Sequence, residues 1–105
     1  MNIESIQAKV KDGKYIISFS HTEKIRQRKI TAKEIEDTIC EGTIIEPYPN
    51  DLRGASCLIL SFTNNGRPLH VVCGKLKEEE ILIITAYEPD IKEWEGDWKT
   101  RRKEV

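Results

Sequence analysis

The hydrophobic period of the chain changes at Thr43, and that change sets its architecture. Before it, apolar residues recur at helical spacing. After it come four short runs rich in Ile, Leu, Val and Tyr: Thr43 to Pro47, Ser56 to Thr63, Pro68 to Cys73 and Ile81 to Tyr87. A helical first half followed by a strand-rich second half predicts an α+β fold, with the N-terminal helices packed on a curved, mainly antiparallel sheet of four to five strands. With 105 residues, the chain reads as a single domain spanning 1–105.

Local signals divide the first half. Ile3, Ile6 and Val10 outline a short helix that ends at Gly13, and Tyr15 to Phe19 reads as a first strand. Ser20 followed by Glu23, and Thr31 followed by Glu34, each form a capping-box pattern, so two helices are expected to begin just after these residues. Ile25 faces the core from the first of them. Ile35 and Ile39 give the second a buried stripe, and that helix ends at Gly42.

In the second half, Asn64-Asn65-Gly66 carries tight-hairpin chemistry, because Asn and Gly tolerate positive φ. A three-residue hairpin there would set Cys57 opposite Cys73 and His70 opposite Leu60. Ile81-Leu82-Ile83-Ile84 is apolar on both faces and reads as a central strand. The segment from Pro47 to Gly54 is a loop, and an irregular tail with a basic end at 99–105 closes the chain.

Composition narrows the function classes. The chain is 38% hydrophobic and 33% charged with a net charge of −1, which suits a soluble globular protein rather than a wholesale nucleic-acid magnet. No run is long and apolar enough for a membrane span and no signal peptide is apparent, so a cytoplasmic location and no membrane partner are expected. Cys40, Cys57 and Cys73, odd in number and widely spaced, fit reduced buried thiols. Charge is segregated: Lys24, Arg26, Arg28, Lys29 and Lys33 crowd one segment and Lys99, Arg101, Arg102 and Lys103 another, with acids gathered at 34–41, 78–80 and 88–97.

Site chemistry must come from few residues. His21 follows a strand and opens a helix, where free N–H groups can hold an anion, and Lys24, Arg26 and Arg28 lie close by; the same run could equally be a solvated helix face. His70 lies in a strand, where it can be a satisfied structural residue or a functional one. A metal site from His70, Cys57 and Cys73 is disfavoured, since His70 and Cys73 at odd spacing point to opposite faces. Trp94 and Trp98 beside the basic tail can stack bases or fasten the tail to the sheet. Two histidines, several arginines, Thr85 and Tyr87 would suffice for RNA cleavage without metal or cofactor: the 2′-OH attacks the adjacent phosphate, two groups move protons and cations stabilise the phosphate. No serine-hydrolase elbow, Walker loop, dinucleotide fingerprint, HExxH or CxxC pair occurs.

The blocks SHTEKIRQRKIT, IEDTICEGTIIEPYPNDLRGASCLILSF, GRPLHVVCG, IITAYEPDIKEW and TRRK resemble, in that order, the bacterial family known as domain of unknown function 4258, over roughly residues 14 to 103. The resemblance implies a distant relationship to RelE-like ribonuclease toxins, a toxin role in a toxin-antitoxin pair, RNA as partner and a neighbouring YgiT-type zinc-finger antitoxin. It implies no cofactor. It places His21, Arg26, Arg28, His70, Thr85 and Tyr87 at the polar positions of the family motifs. The expected catalytic set is His21, His70, Tyr87 and Thr85, with His21 and His70 as acid and base, and the expected phosphate-binding set is Arg26, Arg28, Lys24, Arg101 and Arg102. The alternative is a non-catalytic RNA- or protein-binding module.

Overall fold

A computed structural model describes residues 1–52, 54–77 and 79–103, with the backbone alone at residue 19. Arg53 of the loop, Glu78 of the acidic run and the last two residues of the basic tail lie outside the described residues. The elements follow the order α1 (Ile3–Lys11), β1 (Tyr15–Ile17), α2 (Phe19–Gln27), α3 (Ala32–Glu41), β2 (Thr43–Tyr48), β3 (Ser56–Phe62), β4 (Pro68–Lys77) and β5 (Glu80–Tyr87). This is the expected α+β succession. The sheet is mixed, with strand order β1-β5-β4-β3-β2: β2 to β5 form an antiparallel meander and β1 joins β5 in parallel.

Helix α1 is capped by Asn2, whose side chain accepts from the Ser5 N–H, and the chain turns out of it through Gly13 at φ 73°. The Thr31 capping box is present in full: the Thr31 hydroxyl accepts from the Glu34 N–H at 3.1 Å and the Glu34 carboxylate from the Thr31 N–H at 2.9 Å. The Ser20 box is not formed. Helix α2 begins earlier, at Phe19, with Ser18 as its N-cap residue. The reason is non-local: the Ser18 N–H donates to the Ile83 carbonyl at 2.8 Å, so β1 remains tied to β5 up to Ser18 and the helix turns off immediately after it.

One apolar layer between helices and sheet joins Ile6, Val10, Ile25, Ile35 and Ile39 from the helices to Cys57, Ile59, Leu69, Val71, Cys73, Ile81, Ile83 and Ala86 from the strands. At about 25 cal/mol per Å², burial of such side chains is the main stabilising contribution to the fold. The Asn-Asn-Gly hairpin takes its three-residue form, with Thr63 donating to the Arg67 carbonyl at 2.9 Å and Gly66 at φ 82°. Its register sets Cys57 against Cys73 and His70 against Leu60. Cys57 and Cys73 therefore face the helix layer, while His70 points through the other face of the sheet, away from both thiols. None of the described helices is long and apolar enough to cross a membrane.

Candidate active site on the helix-free sheet face

A break in β5 creates the site. Strict alternation would put Ile83, Thr85 and Tyr87 on one face. The ladder to β4 slips instead: Cys73 pairs with Ile83 but Val72 pairs with Thr85, leaving Ile84 as the extra residue of a β-bulge. Ile83 thus stays in the helix-side core, while Thr85 and Tyr87 turn to the opposite face beside Val72 and His70.

His70 and Tyr87 are direct cross-strand partners, their ring centroids 5.3 Å apart at 66°. His70 Nδ1 lies 3.4 Å from the Tyr87 hydroxyl and Nε2 lies 2.7 Å from the Trp98 carbonyl oxygen. A carbonyl can only accept, so Nε2 carries the proton; Nδ1 of the neutral ring is then the acceptor for the Tyr87 O–H. His70 is fully buried, and that burial lowers its pKa below the ordinary 6.5, outweighing the Trp98 carbonyl and Glu46, which favour the charged ring. Tyr87 is half-buried, and burial raises its pKa, so the phenol stays protonated at neutral pH. Among the charges around it, Arg101 and Arg28 favour the phenolate while Glu46 and Glu93 oppose it, so the Tyr87 hydroxyl sits among groups of both signs.

The two arginines reach the site from opposite ends of the chain. Arg28, just past α2, donates from Nη1 to the Thr85 hydroxyl at 3.3 Å and to the Ala86 carbonyl at 2.8 Å. Arg101 arrives from the C-terminal segment, which folds back across the sheet face. Its guanidinium lies 4.5 Å from the Trp94 ring centroid and grips Glu46 with both Nε, at 2.8 Å, and Nη2, at 2.9 Å. The Tyr48 hydroxyl donates to the same carboxylate at 2.6 Å. Arg101 and Tyr48 together hold the Glu46 pKa low, the Arg101 hydrogen bond contributing most. Trp94, 1% exposed, is wedged edge-on against His70 with centroids 4.6 Å apart.

The remaining candidates lie elsewhere. Lys24 and Arg26 are exposed on α2, and Arg26 pairs with Glu23 at 3.6 Å. Arg102 pairs with Glu95 at 3.1 Å. His21 sits in the first turn of α2, its N–H donating to the Ser18 carbonyl. That helix sends Ile25 into the core layer on the other side of the sheet from His70, so the described contacts do not join the two histidines. Glu46 and Tyr48 were not among the sequence candidates. On its own, the run Glu46-Pro47-Tyr48 looks like an ordinary strand end, and only its pairing with β3 carries these residues to the tail.

Acid should loosen this cluster. With its folded pKa depressed, His70 contributes stability that is present above about pH 6.5 and lost as the pH falls through its folded value; Glu46, also depressed, adds a second loss below its ordinary 4.5. We expect the melting temperature to fall between pH 7.5 and pH 5.5, and His70→Gln to remove the His70 share of that slope. An unchanged melting temperature across this range would refute it.

These features define an α+β protein whose helix-free sheet face holds a Tyr–His pair beneath its own C-terminal segment. The chain belongs to the family described as Domain of unknown function (DUF4258), which matches residues 21–88. No curated protein and no solved structure matches it.

Proposed function

We propose that this protein is a metal-independent endoribonuclease with Tyr87 as the group that meets the substrate, acting as the toxin of a toxin-antitoxin pair. The observation that carries the proposal is the hydrogen-bonded pair of Tyr87 and His70 with the Arg28 guanidinium held on the neighbouring Thr85 and Ala86. A neutral phenol cannot take up a proton unless it passes its own on. In the proposed step, the ribose 2′-oxygen attacks phosphorus as its proton moves to the Tyr87 oxygen and the Tyr87 proton moves to His70 Nδ1. The P–O5′ bond breaks, a 2′,3′-cyclic phosphate forms, and the leaving oxygen takes a proton from water, whose hydroxide is then neutralised by the proton held on His70. His21, which opens α2 on the helix side of the sheet, has no part in this step. Arg28 stabilises the charge that builds on the phosphate, and Thr85 holds that guanidinium in place. The RelE-like relationship and the YgiT-type antitoxin partner belong to the same proposal.

Incubating the purified chain with single-stranded RNA and a chelator should yield fragments ending in 2′,3′-cyclic phosphate. Tyr87→Phe and His70→Ala should each slow cleavage about a hundred-fold, the size typical of a lost proton-transfer group. Arg28→Ala should slow it about ten-fold, a loss of about 1.4 kcal/mol of transition-state stabilisation. Intact RNA at every protein concentration would overturn the proposal. In bacteria, induction should arrest growth, and co-expression of the zinc-finger partner should restore it. The full burial of His70 favours a second reading, a non-catalytic RNA- or protein-binding module. Under that reading Tyr87→Phe binds RNA as the wild type does, and neither cuts it.

A further inference from the structure

The C-terminal segment does more than cover the site. Trp98 has φ 62°, a left-handed conformation that a bulky aromatic residue rarely adopts and that persists only where its surroundings hold it. In this turn the Trp98 carbonyl meets His70 Nε2 at 2.7 Å, the shorter of the two hydrogen bonds that the ring makes. Both ends of the turn are held. Before it, Trp94 is buried against His70. Within it, the Trp98 N–H donates to the Glu95 carbonyl, and Asp97 accepts from the N–H groups of Lys99 and Thr100 and from the Thr100 hydroxyl. After it, Trp94 bridges to Arg101, and Arg101 grips Glu46 on β2 through two parallel hydrogen bonds.

A neutral imidazole in water exchanges its proton between Nδ1 and Nε2, and only the Nε2–H form can accept from Tyr87 through Nδ1. We infer that the Trp94–Arg101 segment is a tautomer clamp: the Trp98 carbonyl fixes His70 as Nε2–H so that Nδ1 faces Tyr87, and the Glu46–Arg101 pair is the clasp that keeps the carbonyl in place. Glu46, Arg101 and the Trp98 main chain are then positioning groups that act on Tyr87 through His70. The role of the clamp in cleavage rests on the ribonuclease reading, whereas the tautomer itself is a property of the free protein.

The test therefore has two readouts on the full chain: ¹⁵N-histidine NMR for the tautomer and cleavage of a short single-stranded RNA. The wild type should show His70 as a single Nε2–H form. Glu46→Gln, which keeps the shape but weakens the grip, should mix the two tautomers and lower cleavage about ten-fold. Arg101→Lys, which keeps the charge but loses the two-pronged geometry, should do the same, and it stands in should Glu46→Gln fail to fold. Glu46→Asp, which keeps a carboxylate, should recover part of both signals. A merely structural loss would lower the melting temperature without mixing tautomers in the folded protein. An Nδ1–H ring in the wild type, or an unchanged tautomer in both folded clasp variants, would overturn the inference. A locked Nε2–H ring in a protein that leaves RNA intact would support the clamp and overturn the ribonuclease reading.

Discussion

Replacing Trp94 with alanine is expected to destabilise the protein by about 3–5 kcal/mol, the range for truncating a large buried aromatic residue. Trp94 heads the fully buried side chains by volume, and it comes from a segment with no regular structure, where little else can close the gap. Its ring is the floor under the Arg101 guanidinium and the wall beside His70, so the same change removes a cation–π contact and an edge-on aromatic contact. For a domain of this size, each kcal/mol lowers the melting temperature by several degrees, and a drop of roughly 20 °C should appear in a thermal scan. A loss below about 1 kcal/mol would mean that the segment is not seated on the sheet as described.

Gly42→Ala should be nearly as damaging, at roughly 3 kcal/mol, the upper range for overpacking. Gly42 has φ −92° and ψ −179°, an extended conformation open to any residue, so its backbone angles do not demand glycine. Space does. A Cβ there would lie 2.3 Å from the Thr38 carbonyl oxygen, 2.6 Å from that of Leu60 and 2.7 Å from Ile59 Cγ2. Two of the three obstacles are main chain and cannot rotate aside, so the last turn of α3 would have to distort around Thr38 and its end lift from β3. Urea unfolding of the variant gives the measurement. A Gly42→Ala protein as stable as the wild type would show that α3 and β3 are not in such close contact.

Gly42 also shows which parts of this structure were legible in the sequence. That a helix ends there could be read directly; that β3 closes over the glycine with the Leu60 carbonyl and Ile59, beside the local Thr38 carbonyl, could not, because Ile59 and Leu60 lie far along the chain. The Thr31–Glu34 box and the Asn64-Asn65-Gly66 hairpin were legible for the same reason: their partners lie within three or four residues. From that hairpin the pairing of His70 with Leu60 followed by counting. Ser20 misled because its pattern was local while the deciding bond, Ser18 to Ile83, was not. The parallel seat of β1 was equally hidden.

The candidate site divides along the same line. His70, Thr85, Tyr87 and Arg28 could be named as polar residues in distinctive blocks, and the structure gathers these four on or beside one end of β5. The bulge at Ile84 that turns Thr85 and Tyr87 to the open face has no signature in Ile83-Ile84-Thr85-Ala86-Tyr87. Nor does Glu46 announce itself. Its partner Arg101 is 55 residues away, and the two meet only once the sheet has formed and the tail has crossed it.

The parallel pairing of β1 with β5 has a consequence for biosynthesis. Strands β2 to β5 form a continuous meander whose neighbours are consecutive in the chain, so they can zip as they leave the ribosome. The first strand has no neighbour until the last one is made: Tyr15 waits for Ile81, and Ile17 for Ile83. Until then the backbone edge of β1 has no strand partner, although α1 can already pack on α3 through Gln7 and its apolar stripe. The strand that completes the pairing of β1 also brings Tyr87 to His70, so the sheet and the candidate site close in the same step.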